Sequence, residues 1–139
     1  MILSETFPAE ITSQFELPLI LHSGDIDYGT ACDSEAPGLD LNQHLLRQPD
    51  KSFISRSTSN VLSNQGIFDG DLLIVDTSVS PQHGDIVVAT LEGELICRQL
   101  DLRNSLLICD DDELEALPLQ DWADLRIEGV VTNAIKQLR

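Results

Sequence analysis

A chain of 139 residues with 24 acidic and 8 basic side chains, a net charge of -16 and a pI near 4.1 offers little to a phosphate backbone, which is bound by clustered cations. Its lysines and arginines stand singly at 47, 51, 56, 98, 103, 126, 136 and 139, so direct nucleic-acid binding is not expected; the acidic surface serves either a basic partner protein or plain solubility. A hydrophobic fraction of 42% is too high for a disordered chain, and aromatics at 4% leave Leu, Ile and Val to build the core.

Residues 1 to 38 hold short apolar pieces such as Leu17-Pro18-Leu19-Ile20-Leu21, interrupted by Pro, Gly, Ser and Asp. They sustain neither a helical nor a strand period, so they read as an extended N-terminal arm, ordered only by docking onto something else. The arm is too irregular for a DNA-reading helix-turn-helix. No basic region followed by an apolar stretch marks a secretory signal, and no apolar run approaches membrane-spanning length. A cytoplasmic protein with no membrane partner is the expectation.

The second unit, residues 39 to 139, opens with a short helix. Asp40 suits its N-cap, Gln43 three residues on suits a capping box, and Leu41, Leu45 and Leu46 give a narrow apolar face before Pro49-Asp50. From Ser52 onward the pattern is β-structure with frequent turns. Strands are expected at Phe53-Ile54, at Leu72 to Val75 after Asp69-Gly70-Asp71, and at Ile86 to Ala89 after His83-Gly84-Asp85. Glu92-Gly93-Glu94 has the spacing of a hairpin leading into Leu95 to Leu100. Leu106 to Cys109 and Leu125 to Ile135 complete a mainly β domain.

Other chemistry finds little support. Cys32, Cys97 and Cys109 lack metal spacing, and the last two sit in apolar runs as buried core thiols. His22, His44 and His83 have no partner at helical spacing, which argues against zinc. Asp110-Asp111-Asp112-Glu113, with Glu115 and Asp121, could attract a hard cation but lacks a glycine-containing calcium loop, so it reads as a solvated turn. Trp122 reads as a core or interface anchor. No glycine-rich phosphate loop occurs, and no cofactor or metal is expected.

Three segments, in order and at matching spacing, resemble the UmuD family, relatives of the C-terminal domain of the LexA repressor. They are Leu39-Asp40-Leu41-Asn42-Gln43; Gly66-Ile67-Phe68-Asp69-Gly70-Asp71-Leu72-Leu73-Ile74-Val75-Asp76 with His83-Gly84-Asp85-Ile86-Val87; and Gly129-Val130-Val131 with Lys136 and Arg139. The resemblance implies a LexA/UmuD-type β-rich fold that dimerises, with an N-terminal arm lying across it. It also implies a serine peptidase of the S24 type: a serine nucleophile and lysine base, stimulated by RecA filaments, cut the arm. The trimmed dimer then joins a Y-family translesion polymerase subunit.

The sequence departs from that pattern at the dyad. Eight residues before Asp69, where the nucleophile belongs, stands Val61, and the base position after Glu92-Gly93-Glu94 holds Arg98. A valine cannot attack a carbonyl, and an arginine stays protonated, so it cannot take a proton from serine. A displaced nucleophile at Ser57, Ser59 or Ser63 would need another base. The two lysines are Lys51, expected at the surface, and Lys136, which matches a family lysine outside the dyad. His83 matches a structural histidine, and Ser59, the weak alternative nucleophile, reads foremost as a polar loop residue. The arm also lacks the family's Ala-Gly or Cys-Gly bond; Ser23-Gly24 is the nearest approximation, ahead of Tyr28-Gly29 and Pro37-Gly38.

These residues together describe a pseudo-peptidase: a UmuD-like accessory or regulatory protein of the SOS response and translesion synthesis, acting as a homodimer or as a heterodimer with a UmuD-like homologue. The polymerase subunit and RecA are its expected further partners. Two alternatives stay open: a self-cleaving peptidase with a relocated dyad, and a phage or plasmid regulator that keeps only the dimerisation domain.

Overall fold

The computed structural model describes residues 3–8, 16–18, 38–119 and 125–139. The strands are β1 (Leu3–Pro8), β2 (Glu16–Pro18), β3 (Gly38–Asp40), β4 (Ser52–Ser57), β5 (Leu72–Asp76), β6 (Ile86–Leu91), β7 (Glu94–Asp101), β8 (Leu106–Ile108), β9 (Leu117–Pro118) and β10 (Leu125–Ile135). Eight of them form one antiparallel sheet in the order β1-β4-β5-β10-β6-β7-β8-β9, and β2 pairs separately with β3. The expected mainly β architecture is the one found. Leu3–Pro8, inside the segment read as an arm, forms the edge strand beside β4.

Local chemistry sets the element boundaries. Asp40 adopts an extended backbone and its Oδ1 accepts a hydrogen bond from the Asn42 amide at 3.0 Å, which starts helix α1 (Leu41–Leu45). Leu46 is buried and Leu45 half-buried, but Leu41 is 46% exposed, so the apolar face is narrower than its sequence suggests. Between β6 and β7, Leu91 pairs with Glu94 across the two residues Glu92 and Gly93, both at positive φ (52° and 85°). That is the turn whose twist matches the hairpin it closes.

Two larger apolar clusters and a small third one, Leu46 with Ile74, make up the core among the described residues. One contains Leu62, Ile67, Leu73, Val75, Val88 and Cys97; the other contains Val87, Ala89, Ile96, Leu100, Leu107 and Val130. Consecutive residues such as Val87 and Val88, or Ile96 and Cys97, fall into different clusters because side chains alternate across a strand. β6 and β7 are therefore covered on both faces, which explains their unbroken apolar runs. Gly129 sits at a register shift in β10, where a Cβ would lie 2.8 Å from Val75 Cγ1 and 2.9 Å from the Asp76 carbonyl oxygen. Only a glycine lets β10 approach β5 that closely. Among the described residues, no helix is long and apolar enough to cross a membrane.

Candidate functional site

Between β4 and β5 the chain makes a compact turn that carries Val61, the residue expected at the nucleophile position. Leu62 bridges to Ile67, residues 63–65 form a 3-10 turn, and Gly66 closes it in the left-handed region at φ 85°. Leu62 and Ile67 are buried in the first cluster and draw the turn onto the sheet. Val61 is half-buried and packs against the same cluster, so its side chain is part of the core packing.

The turn is tied down from two sides. The Asp110 amide donates to the Val61 carbonyl at 2.7 Å, and the Asp110 carboxylate accepts from the Asn64 amide, also at 2.7 Å. On the other flank, Asn60 Oδ1 accepts from the Asp69 amide at 2.9 Å. Asp110 belongs to the acidic stretch read above as a solvated turn, and here it fastens the site loop instead. Nothing in a run of four acids singles it out, since its partner lies 46 residues away. Asp111 serves its own turn, accepting from the Glu113 amide. Among the described residues no cluster of His, Cys, Asp and Glu suits a metal ion.

Arg98, the residue expected at the base position, lies in β7 and pairs with Val87 of β6. The Arg98 side chain is buried, with the residue 8% exposed, and its Nη1 donates to the Cys97 carbonyl at 2.8 Å. Neighbouring Cys97 is fully buried, and burial pushes its thiol up to about 12 from 9.0, so it stays neutral and unreactive near pH 7.

The alternative nucleophiles fare no better. Ser57 is buried and its Oγ donates to the Ser59 carbonyl at 3.1 Å. The Ser59 Oγ is itself buried and has no hydrogen-bond partner among the described residues. Ser63 starts the 3-10 turn and is half-buried. Lys51 is exposed in the 3-10 turn Pro49–Lys51 that precedes β4. Lys136 is engaged elsewhere, 3.0 Å from both carboxylate oxygens of Asp71 and 4.2 Å from the centre of the Phe68 ring. His83 is also structural: its Nδ1 accepts from the Leu102 amide at 3.2 Å and lies 3.7 Å from Asp101 Oδ1. The Asp101 carboxyl is held below its usual range, chiefly by the Asn104 side chain.

Of the two cysteines expected in the core, Cys97 is buried and Cys109 is half-buried, because the chain leaves β8 at Ile108 and turns into the acidic stretch. Ser23 and Gly24, the cleavage-bond candidate, lie outside the described residues, as do Tyr28-Gly29, Pro37, His22, Cys32, Asp121 and Trp122.

Residues 21–132 match the family model described as Peptidase S24-like. Protein ImpA of Escherichia coli is 35% identical over 112 residues, which span 78% of this chain and 75% of that protein. Protein SamA of Salmonella typhimurium is 33% identical over 109 residues, 78% of this chain and 76% of its own. The LexA repressor of Syntrophotalea carbinolica is 30% identical over 89 residues, 63% of this chain and 44% of the repressor.

Proposed function

Because this chain belongs to the Peptidase S24-like family, as a UmuD-like member of the LexA/UmuD superfamily, we propose that it works by protein contacts in the SOS response and translesion DNA synthesis, without cutting its own arm. The observation that carries this reading is the pair of residues at the dyad positions. Val61 is packed into the core beside the loop that should bear a nucleophile, and Arg98 is a buried guanidinium where a lysine base is required. The site loop supports a binding role: it is fastened through Asp110 on one side and through the Asn60–Asp69 hydrogen bond on the other. A fold does not fix its function, which lies in the site it carries.

In this reading the protein is cytoplasmic, needs no cofactor, and keeps residues 1–38 attached to the β domain of residues 39–139. It dimerises with itself or with a UmuD-like homologue, and the dimer engages a Y-family polymerase subunit or RecA. Its charge of -16 suits partners that present basic surfaces. The test is native mass spectrometry of the purified chain, alone and mixed with an active UmuD-like homologue. A homodimer or a mixed dimer supports the reading. A chain that stays monomeric in both preparations overturns it.

A further inference from the structure

A cavity of about 510 Å³ opens beside α1, and no residue of the site loop lines it. Its volume lies in the range in which proteins hold small molecules. Ser52, Asp76 and Val130 form one row in its wall: Ser52 of β4 pairs with Asp76 of β5, which pairs with Val130 of β10. Residues directly opposite one another in an antiparallel sheet share a face, so the three stand side by side. The register shift between Val131 and Asn133 breaks the alternation of β10 at this point, and residues 130–133 all line the cavity.

Asp76 is 6% exposed, and only one of its oxygens is in use. Oδ1 accepts from the Ser78 amide at 2.8 Å and from the Ser78 hydroxyl, whereas Oδ2 has no hydrogen-bond partner among the described residues. A buried carboxylate oxygen without a donor carries a desolvation cost that a bound cation removes. Asp85, also in the lining, accepts from the Gln82 amide through Oδ2 and leaves Oδ1 without a partner among the described residues. Arg47, just past the end of α1, lines the same cavity, and its guanidinium makes no hydrogen bond or ion pair among the described residues. Leu45 and Val79 join Val130 as the apolar surface.

We infer that this cavity is a binding site for a small zwitterion, a free α-amino acid with an apolar side chain. The ligand's ammonium donates to Asp76 Oδ2 and to Asp85, its carboxylate accepts from Arg47, and its side chain covers Leu45, Val79 and Val130. A simple cation leaves Arg47 unmatched, and a simple anion faces two carboxylates. A ligand that carries both charges beside an apolar group satisfies the whole lining, and the unmatched charges act against the others. The site is separate from the dimer and polymerase contacts proposed above and stands or falls without them.

Titration of the full chain with L-leucine, L-valine and L-methionine, followed by amide NMR shifts and calorimetry, tests this. Saturable shifts centred on Ser52, Asp76 and residues 130–133 are expected with at least one of them. Isoamylamine and isocaproate, which are leucine without its carboxylate and without its ammonium, should bind at least about tenfold more weakly than leucine, the loss of one charge-assisted contact. Arg47→Gln, at an exposed position where folding is little affected, and Asp76→Asn should each weaken amino-acid binding by a similar factor. Thermal melts check that both variants fold, and Arg47→Gln decides the matter if Asp76→Asn does not. No saturable shift with any of the three amino acids overturns the inference. Isoamylamine binding as tightly as leucine also overturns it, because the cavity is then a plain cation site, as does unchanged affinity in Arg47→Gln.

Discussion

Lys136 and Asp71, 65 residues apart, close the fold at one end: the Lys136 Nζ lies 3.0 Å from both oxygens of a carboxylate that is 5% exposed. The same carboxylate accepts from the Phe68 amide at 2.9 Å, and the Asp71 carbonyl accepts from the Ser57 amide at 2.8 Å. The Asp69-Gly70-Asp71 turn thereby connects the end of β10 to the strand that leads into the site loop.

Lys136→Met leaves a buried carboxylate with its backbone bond alone. The expected loss is about 2 kcal/mol, set towards the low end for a buried pair because the lysine is 43% exposed. Asp71→Asn combined with Lys136→Met should recover part of it. Urea unfolding of the two singles and the double measures the coupling.

Gly129→Ala forces a Cβ to within 3 Å of Val75 and the Asp76 backbone, and neither can retreat from the sheet centre. A loss of about 2–3 kcal/mol is expected, the cost of overpacking a filled core. A melting temperature equal to wild type would show that β10 does not approach β5 this closely.

Asp110→Ala removes the acceptor for the Asn64 amide but keeps the backbone bond to Val61. Stability should fall by about 1 kcal/mol. The specific signature is local: hydrogen exchange at Asn64 should speed up more than at Val88, which is buried in β6.

Cys97 couples stability to alkaline pH. Burial raises its folded value to about 12 from 9.0, so the folded chain holds its proton where the unfolded chain has released it. Its contribution is intact below about pH 9 and declines from there towards pH 12. Denaturation midpoints across that window should fall more gently in Cys97→Ala than in wild type.

Much of the fold was legible from local signals. The Asp40 cap, the Glu92-Gly93 turn and the apolar runs of β5, β6, β7 and β10 announce themselves within a few residues. β9 and the pair β2–β3, two or three residues each, are too short for any periodicity. β1 is likewise decided by its pairing with β4, some 50 residues on. The dyad assignment is a proposal that rests on sequence position alone: Val61 is counted back from Asp69, and Arg98 is placed after the turn Glu92-Gly93-Glu94. Asp110 and the Asp71–Lys136 pair depend on contacts between distant segments, and no pattern of neighbours encodes them.

Single repairs at the dyad positions should not restore cleavage. Val61→Ser alone supplies a hydroxyl that Arg98 cannot deprotonate, and Arg98→Lys alone supplies a base with no nucleophile. Both variants are expected to keep full intact mass during prolonged incubation at alkaline pH. A fragment from either single variant would mean that another group in the site takes part.

The most direct test is the intact mass of the wild-type chain, incubated alone at neutral and alkaline pH and then with RecA filaments on single-stranded DNA. An unchanged mass under every condition is the result predicted for a chain with Val61 and Arg98 at the dyad positions. A pair of fragments summing to the full chain plus one water, above all one beginning at Gly24, would contradict it and make this protein a working self-cleaving peptidase.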